Sequence, residues 1–264
     1  MHDRVNCRKV KQRMLQTVRF VLGTVLATIV VSSCSSTRTT VADPLRTAIA
    51  AEDELRQAHS TAVRPNQRAA VIALYTRVVE EANSSTQNRN EALFRRGRLY
   101  AEASDCAHAV GDIEKAISAG LRTASAYMVL ANCHRKAGLL DRARKDIDLA
   151  IAVASNEPVL YRARATISME QERYDEAATD LSKSIDLIKP DESSALFEMR
   201  GDAHLAAGRY GQAVDDFHAA IRVSDRDAVQ IMGSASRRSA QLAPIYEKLS
   251  KAYSGLARES LRGR

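Results

Sequence analysis

An all-α solenoid of stacked antiparallel helix pairs is the fold this 264-residue sequence predicts, on three observations. Turn formers and aromatics are scarce, with Gly 11, Pro 5 and 5% aromatics against 45% apolar residues. That balance disfavours a loop-rich β fold and suits helices. Small residues recur at a near-constant interval of 34 residues through the middle of the chain. Larger apolar residues accompany them at helical spacing, as a packed helix face requires.

The first element is not part of that array. Arg4, Arg8, Lys9, Lys11, Arg13 and Arg19 precede a twelve-residue uncharged run, FVLGTVLATIVV, with Asp3 the only acid before it. A bilayer-spanning helix needs about 20 apolar residues; a basic stretch before a shorter apolar run reads as a signal peptide. Much of the net charge of +7 sits there. A chain without residues 1–33 is nearly neutral, which argues against nucleic acid as a partner. Val31-Ser32-Ser33-Cys34 resembles the lipobox of bacterial lipoproteins, with Val and Ser in place of the commoner Leu and Gly or Ala. The resemblance implies a diacylglycerol on the Cys34 thiol, cleavage just before it, and a palmitate-bearing anchor at the bacterial envelope. Two or more acyl chains hold a protein stably to a membrane where one does not. Ser35, where an inner-membrane retention signal would carry Asp, suggests the outer membrane facing the periplasm. Residues 34–44 read as the lipidated cysteine and a flexible tether reaching at most about 35 Å.

Residues 45–89 read as a degenerate first helix pair, PLRTAIAAEDELRQAH and NQRAAVIALYTRVVEEA, with Pro65 helping to separate them. Four repeats then occupy 90–227, at 90–123, 124–157, 158–193 and 194–227. Position eight holds Gly97, Ala131, Ala165 and Gly201, and position twenty holds Ala109, Ala143, Ala177 and Ala213. Position twenty-four carries Ile113, Ile147, Leu181 and Phe217, and Ile117, Ile151, Ile185 and Ile221 recur four residues on. Antiparallel helices approach closely only where side chains are small, and larger neighbours fill the holes. The pattern resembles the tetratricopeptide (TPR) repeat, a 34-residue helix–turn–helix. His134, Ser168 and His204 depart from its usual Tyr at position eleven, which Tyr100 keeps, and some repeats lack the turn glycine. Residues 228–264 read as capping helices. Pro244 suits a helix start, and Ile245, Leu249, Ala252, Tyr253 and Leu256 share one face of the last helix.

Position twenty-three is Asp in every repeat (Asp112, Asp146, Asp180, Asp216), and position seven is Arg in three (Arg96, Arg164, Arg200). The two positions lie level in an antiparallel hairpin, which makes an Arg–Asp pair that fixes register one reading; a solvated acid on the second helix is the other. Cys106 and Cys133 are the cysteines left once the signal is removed and Cys34 is lipidated. A disulfide is one reading in an oxidising compartment; two buried thiols on different faces is the other. The histidines do not cluster, and no HExxH, paired CxxC, GxSxG, P-loop or GxGxxG occurs, so no catalytic residue, cofactor or metal is expected.

The TPR resemblance implies a groove lined by the first helices, at positions two, five, nine, twelve and thirteen. It includes Phe94, Arg98, Met128, Asn132, Arg135, Lys136, Arg162, Thr166, Glu198 and Asp202. Such a groove is basic and partly apolar over its first half and acidic towards its end. It suits an extended or helical protein segment with an acidic stretch. The full clamp of Lys, Asn and Arg residues with which some TPR domains grip a terminal carboxylate is absent in both registers: Phe94 and Arg98 are followed by Val129, Val159 and Ala163, and Met128 and Asn132 by Ala163, Ala195 and Met199. TPR lipoproteins of this size resemble pilotins of type IV pili, adaptors for cell-wall hydrolases and parts of outer-membrane assembly machinery. The expectation is a non-catalytic protein–protein scaffold tied to the membrane by lipid. The rival expectation is a small-molecule or glycan-binding lipoprotein, which needs a closed pocket rimmed by aromatics.

Overall fold

The computed structural model describes residues 43–57, 65–188, 194–231 and 235–262. The expected signal peptide, Cys34 and nearly all of the tether lie outside them. Eleven helices and no strands occur among the described residues: α1 Pro44–Gln57, α2 Pro65–Glu80, α3 Thr86–Glu102, α4 Cys106–Ser118, α5 Ala124–Lys136, α6 Leu140–Val153, α7 Pro158–Glu170, α8 Tyr174–Leu187, α9 Ser194–Ala206, α10 Tyr210–Ile231 and α11 Ala235–Arg262. Each packs mainly on its neighbours in sequence, so the helices stack as successive hairpins.

Local chemistry sets the helix ends. Ser85, Asp105 and Thr123 each accept a hydrogen bond from a backbone N–H of the first turn, capping α3, α4 and α5. Pro158 opens α7, where its missing N–H costs nothing. The turn inside each hairpin is a Schellman motif. The N–H groups of Asp105, Leu139, Arg173 and Arg209 donate to the carbonyls of Tyr100, His134, Ser168 and His204, five residues back. Those of Ser104, Gly138, Glu172 and Gly208 donate three residues back. This closure needs a left-handed residue at position fifteen, and φ is 63° at Ser104, 74° at Gly138, 59° at Glu172 and 74° at Gly208. Two of the four turns therefore hold the conformation without glycine, at a cost of about 1 kcal/mol each. Glu172→Gly is expected to raise stability by up to about 1 kcal/mol, read as a higher midpoint in urea with an unchanged slope.

The repeating positions make the core. Ala109, Ala143, Ala177 and Ala213 are fully buried, as are Ile113, Ile147, Leu181 and Phe217. The close approach at position eight is tightest in the last repeat, where a Cβ on Gly201 would lie 2.7 Å from Phe217 Cε1. At Gly97 the nearest atom, Ile113 Cδ1, is 3.0 Å away.

The last helix corrects the reading of Pro244. α11 begins at Ala235 and runs through the proline. Leu242 and Ile245, on either side of it, are both buried in one cluster with Leu249, Ala252 and residues of α10. That shared burial holds the helix across the missing hydrogen bond. Tyr253 and Leu256 do not join Ile245, Leu249 and Ala252 in the core; they are 47% and 39% exposed.

Candidate protein-binding site

Three expected ion pairs are present. Arg96 donates from Nε and Nη2 to the two Asp112 carboxylate oxygens at 2.7 and 2.8 Å. Arg164 does the same to Asp180 at 2.8 and 2.7 Å. Arg200 donates from Nη2 to Asp216 Oδ1 at 2.6 Å. All three carboxylates are buried. Each arginine also makes a contact that the repeat pattern does not reveal. Its Nη1 crosses to the second helix of the preceding hairpin, reaching Thr76 Oγ1 at 2.9 Å, Asp148 Oδ1 at 2.7 Å and Ser182 Oγ at 2.9 Å. One guanidinium therefore joins three helices, which fits its planar fork of donors.

The second repeat has Leu130 where the others have Arg, and Asp146 turns to position eleven instead. His134 Nδ1 lies 2.6 Å from Asp146 Oδ2. Burial raises the Asp146 carboxyl above its usual range, while His134 pulls the other way. Ser168, at the same position in the third repeat, is fully buried and accepts from Arg144 Nη1 at 3.0 Å. The departures from Tyr at position eleven thus take up polar contacts.

His204, the fourth residue at that position, is buried, with Nε2 3.7 Å from Asp216 Oδ2. Its Nδ1 has no partner among the described residues. Burial pushes its pKa below the usual histidine value; Arg200 and Arg209 add to this, and Asp216 and Asp175 oppose it. The folded chain thus favours the neutral ring. As pH falls below about 6.5 the unfolded chain takes up the proton first, so stability falls until the folded value is passed. The melting temperature should drop between pH 7.5 and 5.5 by an amount that His204→Gln removes.

The ten residues expected to line the groove fall into three groups. Those at the two ends are engaged within the chain. Arg98 donates to Glu52 of α1 at 2.5 Å, and Glu52 is fully buried. The same carboxylate accepts from Arg56 at 2.6 Å, from Arg95 at 3.1 Å and from the Tyr75 hydroxyl at 2.5 Å. Burial and the adjacent carboxylate push the Tyr75 hydroxyl above its usual range. At the other end, Lys248 of α11 donates to Glu198 and Asp202, each at 2.7 Å. Burial raises the Asp202 carboxyl, against the pull of Lys248. Neither Glu52 nor Lys248 was singled out by the sequence pattern, because both lie outside the repeats.

Phe94 and Met128 are half-buried and lean on core clusters. Arg135 bridges α5 and α7 through Glu170 at 2.5 Å. Thr166 donates back to the Arg162 carbonyl. The remaining side chains are exposed: Asn132 and Lys136 on α5 and Arg162 on α7. Neither Lys136 nor Arg162 has a carboxylate partner among the described residues, and the Lys136 ammonium meets only Ser104 Oγ, at 3.5 Å. The middle of the first-helix face therefore presents two cations and an amide.

No group of three or more His, Cys, Asp or Glu side chains is gathered as a metal would need, among the described residues. No described helix is long and apolar enough to cross a membrane.

Fold and pattern together define a TPR-repeat solenoid, a class of protein–protein interaction scaffold. The tetratricopeptide repeat family matches residues 94–158, and SHNi-TPR matches residues 165–188. Among solved structures, the chain is similar to the MamA protein at 18% identity and a TM-score of 0.60, over 73% of this chain and 98% of that one. It is similar to MamA from Desulfovibrio magneticus RS-1 at 14% identity and 0.59, over 70% and 97%. YrrB, described as a TPR protein with an unusual peptide-binding site, aligns at 16% identity and 0.55, over 68% and 84%. At these identities the likeness concerns the fold. No curated protein matches the chain.

Proposed function

We propose that this protein is a non-catalytic scaffold, held at the bacterial envelope by a lipid on Cys34, that docks an acidic protein segment in an assembly or secretion machine. The observation that carries the docking reading is the exposed stretch of Asn132, Lys136 and Arg162 on α5 and α7, between ends that Glu52 and Lys248 close. An extended or helical segment laid there meets two cations at its acidic residues and an amide able to pair with its backbone. A peptide-binding site in YrrB, on the same fold, lends the reading support. The anchor rests on the basic stretch, the apolar run and the Val-Ser-Ser-Cys sequence that ends at Cys34.

The docking test reverses charge only where it is free. Lys136→Glu with Arg162→Glu is expected to cut capture of the crosslinked envelope partner at least about ten-fold, the equivalent of about 1.4 kcal/mol. Arg98→Glu is a poor probe, because it puts a like charge against buried Glu52. Undiminished capture by the double reversal would rule out this face. For the anchor, Cys34→Ser should move the chain from the membrane fraction to the soluble one and abolish incorporation of labelled palmitate.

A further inference from the structure

We infer that Cys106 and Cys133 form a disulfide that locks the first two repeats together when the protein meets an oxidising thiol pool. The inference does not depend on the docking face. Cys106 is the first residue of α4, half-buried behind the cap Asp105. Cys133 is 2% exposed, one turn from the end of α5. The ends of these segments meet in space. Lys136, three residues beyond Cys133, reaches Ser104 Oγ, two residues before Cys106. Burial, and then the neighbouring Cys106, push the Cys133 thiol up to about 12. Both are unbonded in this structure.

The place is one where a lock has work to do. The arginines at position seven register the first, third and fourth repeats on the hairpin before each of them, through Thr76, Asp148 and Ser182. The second repeat carries Leu130 there, which has no donor to offer α4. The junction of α4 with α5 is the one that lacks this bridge among the described repeats, and it is the one that holds both cysteines.

The chemistry divides between the two sulfurs. Cys106 is the less buried thiol and the one a small-molecule disulfide can reach, so it attacks first. Its thiolate, having given its proton to solvent, displaces one thiolate from a small-molecule disulfide such as oxidised glutathione. The product is a mixed disulfide and one released thiol. The Cys133 sulfur, losing its proton to solvent base, then attacks Cys106 Sγ, forms the intramolecular bond and expels the second thiol. Two protein thiols are oxidised and one disulfide is reduced to two thiols. High burial of Cys133 makes the second step the slow one.

The test incubates the full chain with oxidised glutathione at pH 8, blocks free thiols with an alkylating agent and maps the peptides by mass. The expected result is one linked pair, the peptide holding Cys106 joined to that holding Cys133, lighter by about 2 Da for two lost hydrogens. The melting temperature should rise on the order of 5–10 °C and return on reduction. Cys106→Ser and Cys133→Ser should each abolish both effects while leaving the helical circular dichroism intact. A lasting glutathione adduct on Cys106, full alkylation of both thiols, or a link from either to Cys7 or Cys34 would overturn the pair. A bond that forms without raising the melting temperature would overturn the lock.

Discussion

Glu52→Ala is expected to cost about 3–5 kcal/mol, because it removes one partner from a buried ionic cluster. Glu52 is fully buried and accepts from Arg56, Tyr75, Arg95 and Arg98. Arg56 lies half in solvent and can withdraw, and Arg95 keeps Glu91 at 2.5 Å. The Tyr75 hydroxyl and much of the Arg98 guanidinium are left in a low-dielectric site without their acceptor. Three elements lose a common anchor: α1 supplies Glu52, α2 supplies Tyr75, and α3 supplies Arg95 and Arg98. The loss should therefore appear in the denaturant midpoint and as faster amide exchange through α1 and α2, with α7 to α11 little changed. Tyr75→Phe should cost less, on the order of 1–2 kcal/mol, since it deletes only a donor. A Glu52→Ala loss under about 1 kcal/mol would show that the carboxylate is solvated, not buried.

Gly201→Ala should destabilise by about 1–2 kcal/mol, although alanine is the better helix former by about 1 kcal/mol. The added methyl lands 2.7 Å from Cε1 and 2.9 Å from Cδ1 of Phe217, a ring with no exposure. Overpacking of this kind costs about 1–3 kcal/mol, which exceeds the gain in propensity. The other repeats supply the rescue. Ala165 sits in the same position with Leu181 at position twenty-four, and Ala131 with Ile147. Gly201→Ala combined with Phe217→Leu should recover most of the loss. Gly97→Ala, whose methyl meets Ile113 Cδ1 and Cγ1 at 3.0 Å and the Ala109 carbonyl oxygen at 3.2 Å, needs a smaller shift and should cost clearly less than Gly201→Ala. Equal effects at Gly97 and Gly201 would refute the size matching between positions eight and twenty-four. At about 2–4 °C per kcal/mol for a chain of this size, the contrast is measurable by thermal melts.

Much of the array was legible in the residues. Small side chains at positions eight and twenty specify a close helix crossing, and the Arg–Asp pairs join residues 16 apart within one hairpin. At such separations the turn fixes the geometry, so spacing along the chain is nearly spacing in space. Pro244 shows where that logic stops, since proline chemistry suggested a helix start and the burial of Leu242 and Ile245 kept the helix whole. The candidate site was legible only as a set of positions. Which of its charges stand free depended on Glu52, 46 residues before Arg98, and on Lys248, 50 residues after Glu198.

The sequence by itself determined the hairpin: its period, its small-residue contacts and its internal ion pairs. The tertiary structure alone decided how hairpins engage their neighbours and how the array is closed at its ends. It gave each of three arginines a second helix to hold, tied the Arg98 end to α1 and the Glu198–Asp202 end to α11, and left Asn132, Lys136 and Arg162 exposed between them. The physical reason is that a repeat encodes the contacts every unit shares. An ion pair between non-repeating elements depends on which long side chain reaches a buried partner once the helices have stacked, and no periodicity carries that information.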